Sequence, residues 1–190
     1  MKWKQYSEEN KCIMDYYIND KNYKVVVDDN CDNNLCYTFF SSNGLYHNDE
    51  FSFNMAMKNN KYEYINIAKS IKAKKKIFIR DVWLSWYVKG INYEIDSISK
   101  LLEWLKENTE GYSNIIVGTS SGGYIGAIAS WYIDAEVCFC NCGQFSLVNH
   151  YDHVRKNELL NKYINDESRN CFYESYILLR KKKQYHLFVC

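Results

Sequence analysis

Hydrophobic residues in this chain come in short runs separated by polar, turn-forming stretches, and the period within each run sorts strands from helices. Tyr23–Val27 (YKVVV) and Leu35–Phe40 (LCYTFF) are rich in β-branched and aromatic residues and flank the turn-rich DDNCDNN, so both predict strands. Residues 62–67 (YEYINI) and 76–80 (KIFIR) predict two more, with a helix-compatible segment, 68–75, between them. Over residues 93–108, Ile95, Ile98, Leu101, Leu102 and Leu105 recur at spacings of three and four, the apolar stripe of an amphipathic helix, and Gly111 is placed to end it. Residues 114–117 (NIIV) predict a strand, 124–131 (YIGAIASW) a helix of small residues, and 136–140 (EVCFC) a further strand. Polar helices are expected over 148–163 and 172–183, and the last run, 185–190 (YHLFVC), reads as a strand. Strands alternating with helices predict an α/β fold: a mainly parallel sheet covered on both faces, with any ligand at the carboxyl ends of the strands. The first strands are expected to pair antiparallel, because their connections are too short for a helical crossover.

The length of 190 residues suits one domain, 1–190, and the 47% of hydrophobic residues supply its core. Proline is absent, so turns must rely on Gly, Asn and Asp. Lys and Arg total 24 against 23 Asp and Glu, a near-neutral balance that gives no reason to expect nucleic acid as a partner. The basic runs at 72–76 (KAKKK) and 180–183 (RKKK) precede apolar runs and read as solvated helix ends. The start, MKWKQYSEEN, has no apolar leader core, and no run is long enough to span a bilayer, so no membrane insertion and a reduced, cytoplasmic setting are expected. Cys138, Cys140 and Cys142 alternate in VCFCNC, which on a strand puts the three thiols on one face. Their spacing lacks the paired geometry of a zinc knuckle; small buried thiols are expected, and no metal.

The chemistry concentrates in Gly118-Thr119-Ser120-Ser121-Gly122-Gly123, between the strand at 114–117 and the helix at 124–131. A serine nucleophile must stand clear of the backbone beside donors for an oxyanion, and a GxSxG turn between strand and helix achieves both. Gly118 and Gly122 flank Ser120 where a side chain would collide as the strand reverses into the helix. Ser120 is therefore the candidate nucleophile. The N–H of Ser121 is one oxyanion donor, and the helix N-terminus favours negative charge there. The second donor should come from an earlier strand-end loop; Ser41-Ser42-Asn43-Gly44 holds that place, and Ser42 N–H is chosen. The alternative is a glycine turn that packs tightly or binds a phosphate. Neither GxxxxGK[ST] nor GxGxxG is present, and no cofactor is expected.

Together LCYTFFSSNG, IFIRDVWLSWYVKGI, NIIVGTSSGGYIGAIAS and VCFCNCGQFSL resemble a bacterial group of α/β-hydrolase-like proteins found with capsule and surface-glycan genes, over about residues 24–150. The distinctive part is Arg80-Asp81 with Ser85-Trp86-Tyr87 and Gly90. The resemblance implies a three-layer α/β-hydrolase-like fold and an esterase, deacylase or acyltransferase acting on an acylated glycan or small ester, with Ser120 as acyl acceptor. It makes Asp81, Trp86 and Tyr87 candidates to line the substrate cleft, the other reading being that the two rings are core aromatics. In this fold an acid follows a later strand and a histidine follows the last one. Here 185–190 has the look of the strand before the acid, and the chain stops at Cys190. His150 and His153 are the in-chain substitutes for the base; His186 reads as structural and His47 as a surface residue. Two readings follow. In the preferred one, the domain is C-terminally truncated, lacks the last strand and helix, and has its acid and base beyond Cys190. In the other, it is a noncatalytic binding or scaffold module for surface-polysaccharide biosynthesis.

Overall fold

The computed structural model describes residues 3–47, 49–148 and 157–174. Its strands are β1 (Tyr23–Val27), β2 (Leu35–Phe40), β3 (Lys75–Ile79), β4 (Ser113–Thr119) and β5 (Val137–Asn141). They form one sheet in the order β1-β3-β2-β4-β5, in which β1 is antiparallel to β3 and every other pair is parallel. The antiparallel partner of β1 is thus β3, and β2 lies beyond it. Val25, Val26 and Val27 are exposed along this edge.

The helices are α1 (Lys11–Asn19), α2 (Glu50–Lys58), α3 (Ile98–Thr109), α4 (Ser121–Tyr132), α5 (Glu158–Tyr163) and α6 (Glu167–Asn170). Five start on a side chain that takes up free amides of the first turn: Asn10, Asp49, Ser97, Asn157 and Asp166. Inward-facing Cys36, Phe40, Ile77, Ile79 and Ile116 of the sheet join Ile13, Phe53, Leu101, Leu105, Ile125 and Ile128 of the helices in the larger core. Alternation sends Phe39 and Phe78 to the opposite face, where they pack with Tyr62, Ala68, Tyr64 and Ile65.

That second cover corrects one sequence expectation. Residues 62–67 form turns leading into a 3-10 turn at Ile67–Ser70 rather than a strand, because Tyr64 takes a left-handed backbone (φ 65) that breaks an extended run. The basic run at 72–76 is not a helix end either: Lys75 and Lys76 open β3, and the Lys76 ammonium donates to the Ala68 carbonyl at 2.8 Å. The runs at 180–183 and 185–190, and most of the helix expected over 172–183, lie outside the described residues.

Register sets up the site. Phe40, the last residue of β2, pairs with both Ile79 and Gly118, and Gly118 and Thr119 pair with Cys140 and Asn141. The carboxyl ends of the four parallel strands are therefore level, and the loops leaving them meet.

Candidate active site

Between β4 and α4 the chain reverses on Ser120, whose backbone lies at φ 55, ψ −122. A positive φ on a non-glycine residue persists only where its surroundings over-determine it. Here the Ser120 N–H donates to the Asn141 carbonyl (2.9 Å), and its carbonyl accepts the Tyr124 N–H (2.9 Å), the first turn of α4. Two glycines make the reversal possible. A Cβ on Gly118 would stand 2.1 Å from the Gly122 carbonyl oxygen, and one on Gly122 would stand 2.3 Å from that of Phe40. Among the described residues the Ser120 hydroxyl has no hydrogen-bond partner, and the residue is partly exposed. The N–H of Ser121 belongs to the first turn of α4, whose amides have no partner within the helix.

The loop 41–44 is fixed against this turn from three sides. Ser41 N–H donates to the Ile79 carbonyl (2.9 Å), and the Tyr87 hydroxyl donates to the Ser41 carbonyl (2.6 Å). Asn43 and Ser121 clasp each other: the Asn43 N–H donates to Ser121 Oγ (2.8 Å), which donates back to Asn43 Oδ1 (2.9 Å). This clasp ties the residue after the candidate nucleophile to the residue after the candidate second donor. The Asn43 side-chain amide reaches on to the Leu84 carbonyl (3.3 Å).

Ser42 itself is already engaged. Its N–H donates to Glu63 Oε2 at 2.6 Å and its hydroxyl to Glu63 Oε1 at 2.8 Å. Beside it the Tyr64 hydroxyl donates to Thr119 Oγ1 (2.7 Å), one residue before Ser120. No local pattern marks Glu63, which sits in a segment that alternates like a strand.

Asp81, Trp86 and Tyr87 do not line an open cleft: they are 4%, 8% and 0% exposed. Asp81 instead accepts the N–H groups of Trp83 (2.9 Å), Ser85 (2.6 Å) and Tyr87 (2.9 Å) and the Ser85 hydroxyl (3.1 Å). Those bonds fold a tight loop in which Leu84, Trp86 and Tyr87 all have positive φ. Burial pushes the Asp81 carboxyl up to about 6, against the pull of these donors. Arg80 is equally internal, bonded through Nε to Asn22 (3.0 Å) and through Nη2 to Asp20 (3.2 Å), over the Tyr62 ring. For the two rings, core packing is what the structure displays, with Tyr87 bracing the Ser41 carbonyl and the Trp86 indole N–H on Gln144 Oε1 (3.1 Å).

Of the three alternating cysteines, Cys140 is buried with its thiol on the Gly123 carbonyl (3.1 Å) and Cys138 is half-buried. Burial raises both thiols, Cys138 to about 12. Cys142 breaks the expected common face, because β5 ends at Asn141 and Cys142 turns outward at φ 49. Among the described residues no group of three or more His, Cys, Asp or Glu side chains could hold a metal ion. His47 is exposed near Asp49. The candidate bases His150 and His153, and His186, lie outside the described residues.

No protein-family description and no curated protein matches the chain. Solved structures do, all at low identity. The capsule O-acetyltransferase of Neisseria meningitidis serogroup A is 12% identical, with a TM-score of 0.55 over 89% of this chain and 71% of that one. In complex with caged gadolinium it gives 0.53 over 85% and 64%, so this chain spans about two thirds of the acetyltransferase's length. The S-formylglutathione hydrolase of Staphylococcus aureus is 14% identical, with a TM-score of 0.51 over 88% and 71%. A Glycosylation Associate Protein complex from Streptococcus agalactiae is 15% identical at 0.51, over 87% and 36%. What these likenesses establish is the fold: a mixed α/β arrangement with a mostly parallel five-stranded sheet, as in α/β-hydrolase-like proteins.

Proposed function

We propose that this chain is an acyl-transfer protein of the serine type, an esterase, deacylase or O-acyltransferase, whose substrate is an acylated glycan or small ester. One observation carries the reading: Ser120 is held in a left-handed turn at the carboxyl end of a central parallel strand, at the start of a helix, with its hydroxyl unpartnered among the described residues. In this reading Ser120 Oγ attacks the acyl carbonyl and its proton passes to a general base, for which His150 and His153 are the in-chain candidates. The carbonyl oxygen becomes an oxyanion that the N–H groups of Ser121 and Ser42 stabilise. Collapse of the tetrahedral intermediate expels the alcohol and leaves an acyl ester on Ser120. Water or a glycan hydroxyl then takes the acyl group. Neighbours that are a capsule O-acetyltransferase and an S-formylglutathione hydrolase support a common acyl chemistry without separating hydrolysis from transfer.

Among the described residues no helix is long and apolar enough to cross a membrane, and the cysteines are free thiols. A fluorophosphonate probe tests the nucleophile. It should label the wild-type chain and leave Ser120→Ala unlabelled; an unlabelled wild type, or labelling that survives Ser120→Ala, removes Ser120 from the role.

A further inference from the structure

The Ser42 N–H is the second oxyanion donor expected from chain order, and a side chain of the same protein takes it up. The Glu63 carboxylate spans both donors of Ser42, the N–H at 2.6 Å and the hydroxyl at 2.8 Å. Two parallel bonds to the two oxygens of one carboxylate are the geometry with which such a pair would hold a bound carboxylate or another small oxyanion. The segment that delivers Glu63 is seated on the strand ends. Its N–H donates to Ser41 Oγ (3.2 Å), and the next residue, Tyr64, reaches Thr119 Oγ1 with its hydroxyl and lays its ring on Phe39. The strap therefore touches both the loop leaving β2 and the end of β4, one residue before Ser120. Tyr62 and Ala68 hold the segment in the smaller core, with Tyr64 packed against it, whereas Glu63 is partly exposed and belongs to neither core. Its side chain can therefore swing away from Ser42 without disturbing either core.

We infer that the Ser42 N–H and hydroxyl form a binding site for a small carboxylate or oxyanion, and that Glu63 is its built-in occupant. Resting on the reading of Ser120 as nucleophile, the consequence is that an acyl substrate gains its second oxyanion donor only when Glu63 withdraws. A carboxylate on the donor competes with the developing oxyanion for the same N–H. A single such donor is worth about 10²–10³ in turnover, so its release should be plainly visible.

The test uses the full chain, Glu63→Ala, and Glu63→Gln as the variant of matched size should the alanine chain not fold. Glu63→Ala should react with the fluorophosphonate roughly tenfold or more faster than wild type. Millimolar sodium acetate should slow the Ala variant back toward the wild-type rate by refilling the site, and leave the wild type unaffected. Glu63→Gln, which keeps an acceptor without the charge, should fall between the two. Where the wild type is labelled, a Glu63→Ala chain that labels no faster makes Glu63 a structural support and overturns the inference. The ¹⁵N–¹H resonance of Ser42 supplies a readout that does not need Ser120 to react. It should move on loss of the carboxylate in either variant, and in Glu63→Ala move back with acetate. If it does so while no variant is labelled, the occupied site stands and the nucleophile is what failed. If the Ser42 resonance is unmoved by the substitution, the inference falls.

Discussion

A serine at φ 55, ψ −122 sits in backbone territory that costs a non-glycine residue about 1–3 kcal/mol, so its neighbours must hold the turn more tightly than the serine resists it. Gly118 and Gly122 do this by letting β4, α4 and the end of β2 approach within distances that any Cβ would forbid, and Asn141 anchors the amide. Within the turn from β4 to α4 the strain belongs to Ser120, which separates two substitutions that ordinary burial arguments would treat alike. Ser120→Ala keeps a Cβ in the left-handed turn and should leave stability within about 0.5 kcal/mol of wild type. Ser120→Gly relieves the strain and, after its larger chain-entropy cost, should stabilise by about 1 kcal/mol while abolishing fluorophosphonate labelling. Urea unfolding of the three chains measures this, and equal stability of the Gly and Ala variants would show that the turn stores no strain. The same residue-level view explains the Asn43–Ser121 clasp: each side chain fixes the other's loop, so both candidate oxyanion donors are placed by one pair of hydrogen bonds.

At the scale of elements, the loop 81–90 is organised by one carboxylate. Asp81 is surrounded by backbone donors of its own loop, and through Tyr87 and the Leu84 carbonyl that loop grips Ser41 and Asn43. Burial raises the Asp81 carboxyl to about 6 from its unfolded value near 4, so the folded state binds this proton more tightly than the unfolded one. The stabilisation from that proton is complete below pH 4 and is lost as pH rises to 6. Its size is on the order of 3 kcal/mol, from two units at 1.36 kcal/mol each. Subtracting the stability of Asp81→Asn from that of wild type at pH 4, 5, 6 and 7 isolates the group. The difference should fall across pH 4–6, and a flat difference would contradict it. The elements also show what a sequence discloses. The strands were legible because their β-branched runs are bounded by turn residues, and α3 because Leu101, Leu102 and Leu105 follow a 3.6-residue period. The helices α1 and α2 are not legible in the sequence although Asn10 and Asp49 stand as caps, because KCIMDYYIN and EFSFNMAMK mix polar and apolar positions without a clean stripe. The turns at 62–67 look like a strand in the sequence because alternation alone cannot register a left-handed Tyr64. The positions of Ser120 and of the loop at 41–44 could be read from glycine spacing and chain order. Glu63 could not, since its bond to Ser42 spans 21 residues and follows no local period.

Across the whole molecule, the segments outside the sheet converge on the same loop. Lys89 lies under the rings of Tyr17, Trp83 and Tyr163 at 5.1, 5.7 and 5.8 Å, and its ammonium is bonded to Glu8. Glu8 also takes Lys162 of α5 at 2.5 Å and the Tyr163 hydroxyl at 3.2 Å. Arg169 of α6 donates to the Val88 and Asp96 carbonyls, both at 2.7 Å, and the Tyr124 hydroxyl of α4 donates to the Phe172 carbonyl at 2.7 Å. The N-terminal segment and α5–α6 are thus pinned onto the loop that braces Ser41, with Glu8 accepting from Lys89, Lys162 and Tyr163 together. Partial burial by itself would raise the Glu8 carboxyl, but Lys162 and Lys89 override it and hold the group down to about 2. A depressed value means the contribution is present above the unfolded value near 4.3 and is lost as pH falls toward 2. The shift alone would correspond to about 3 kcal/mol, but Glu8 is one-third exposed and solvent screening reduces this to roughly 1–2 kcal/mol. Glu8→Gln should therefore destabilise the protein by about that amount at pH 7, and its unfolding curve should converge on the wild type's between pH 4 and 2. It should also speed proteolysis between α5 and α6 and lower the rate of Ser120 labelling several-fold, because the loop that steadies the 41–44 turn loses its outer support. Destabilisation that persists unchanged at pH 2 would mean that Glu8 acts by packing and not by charge.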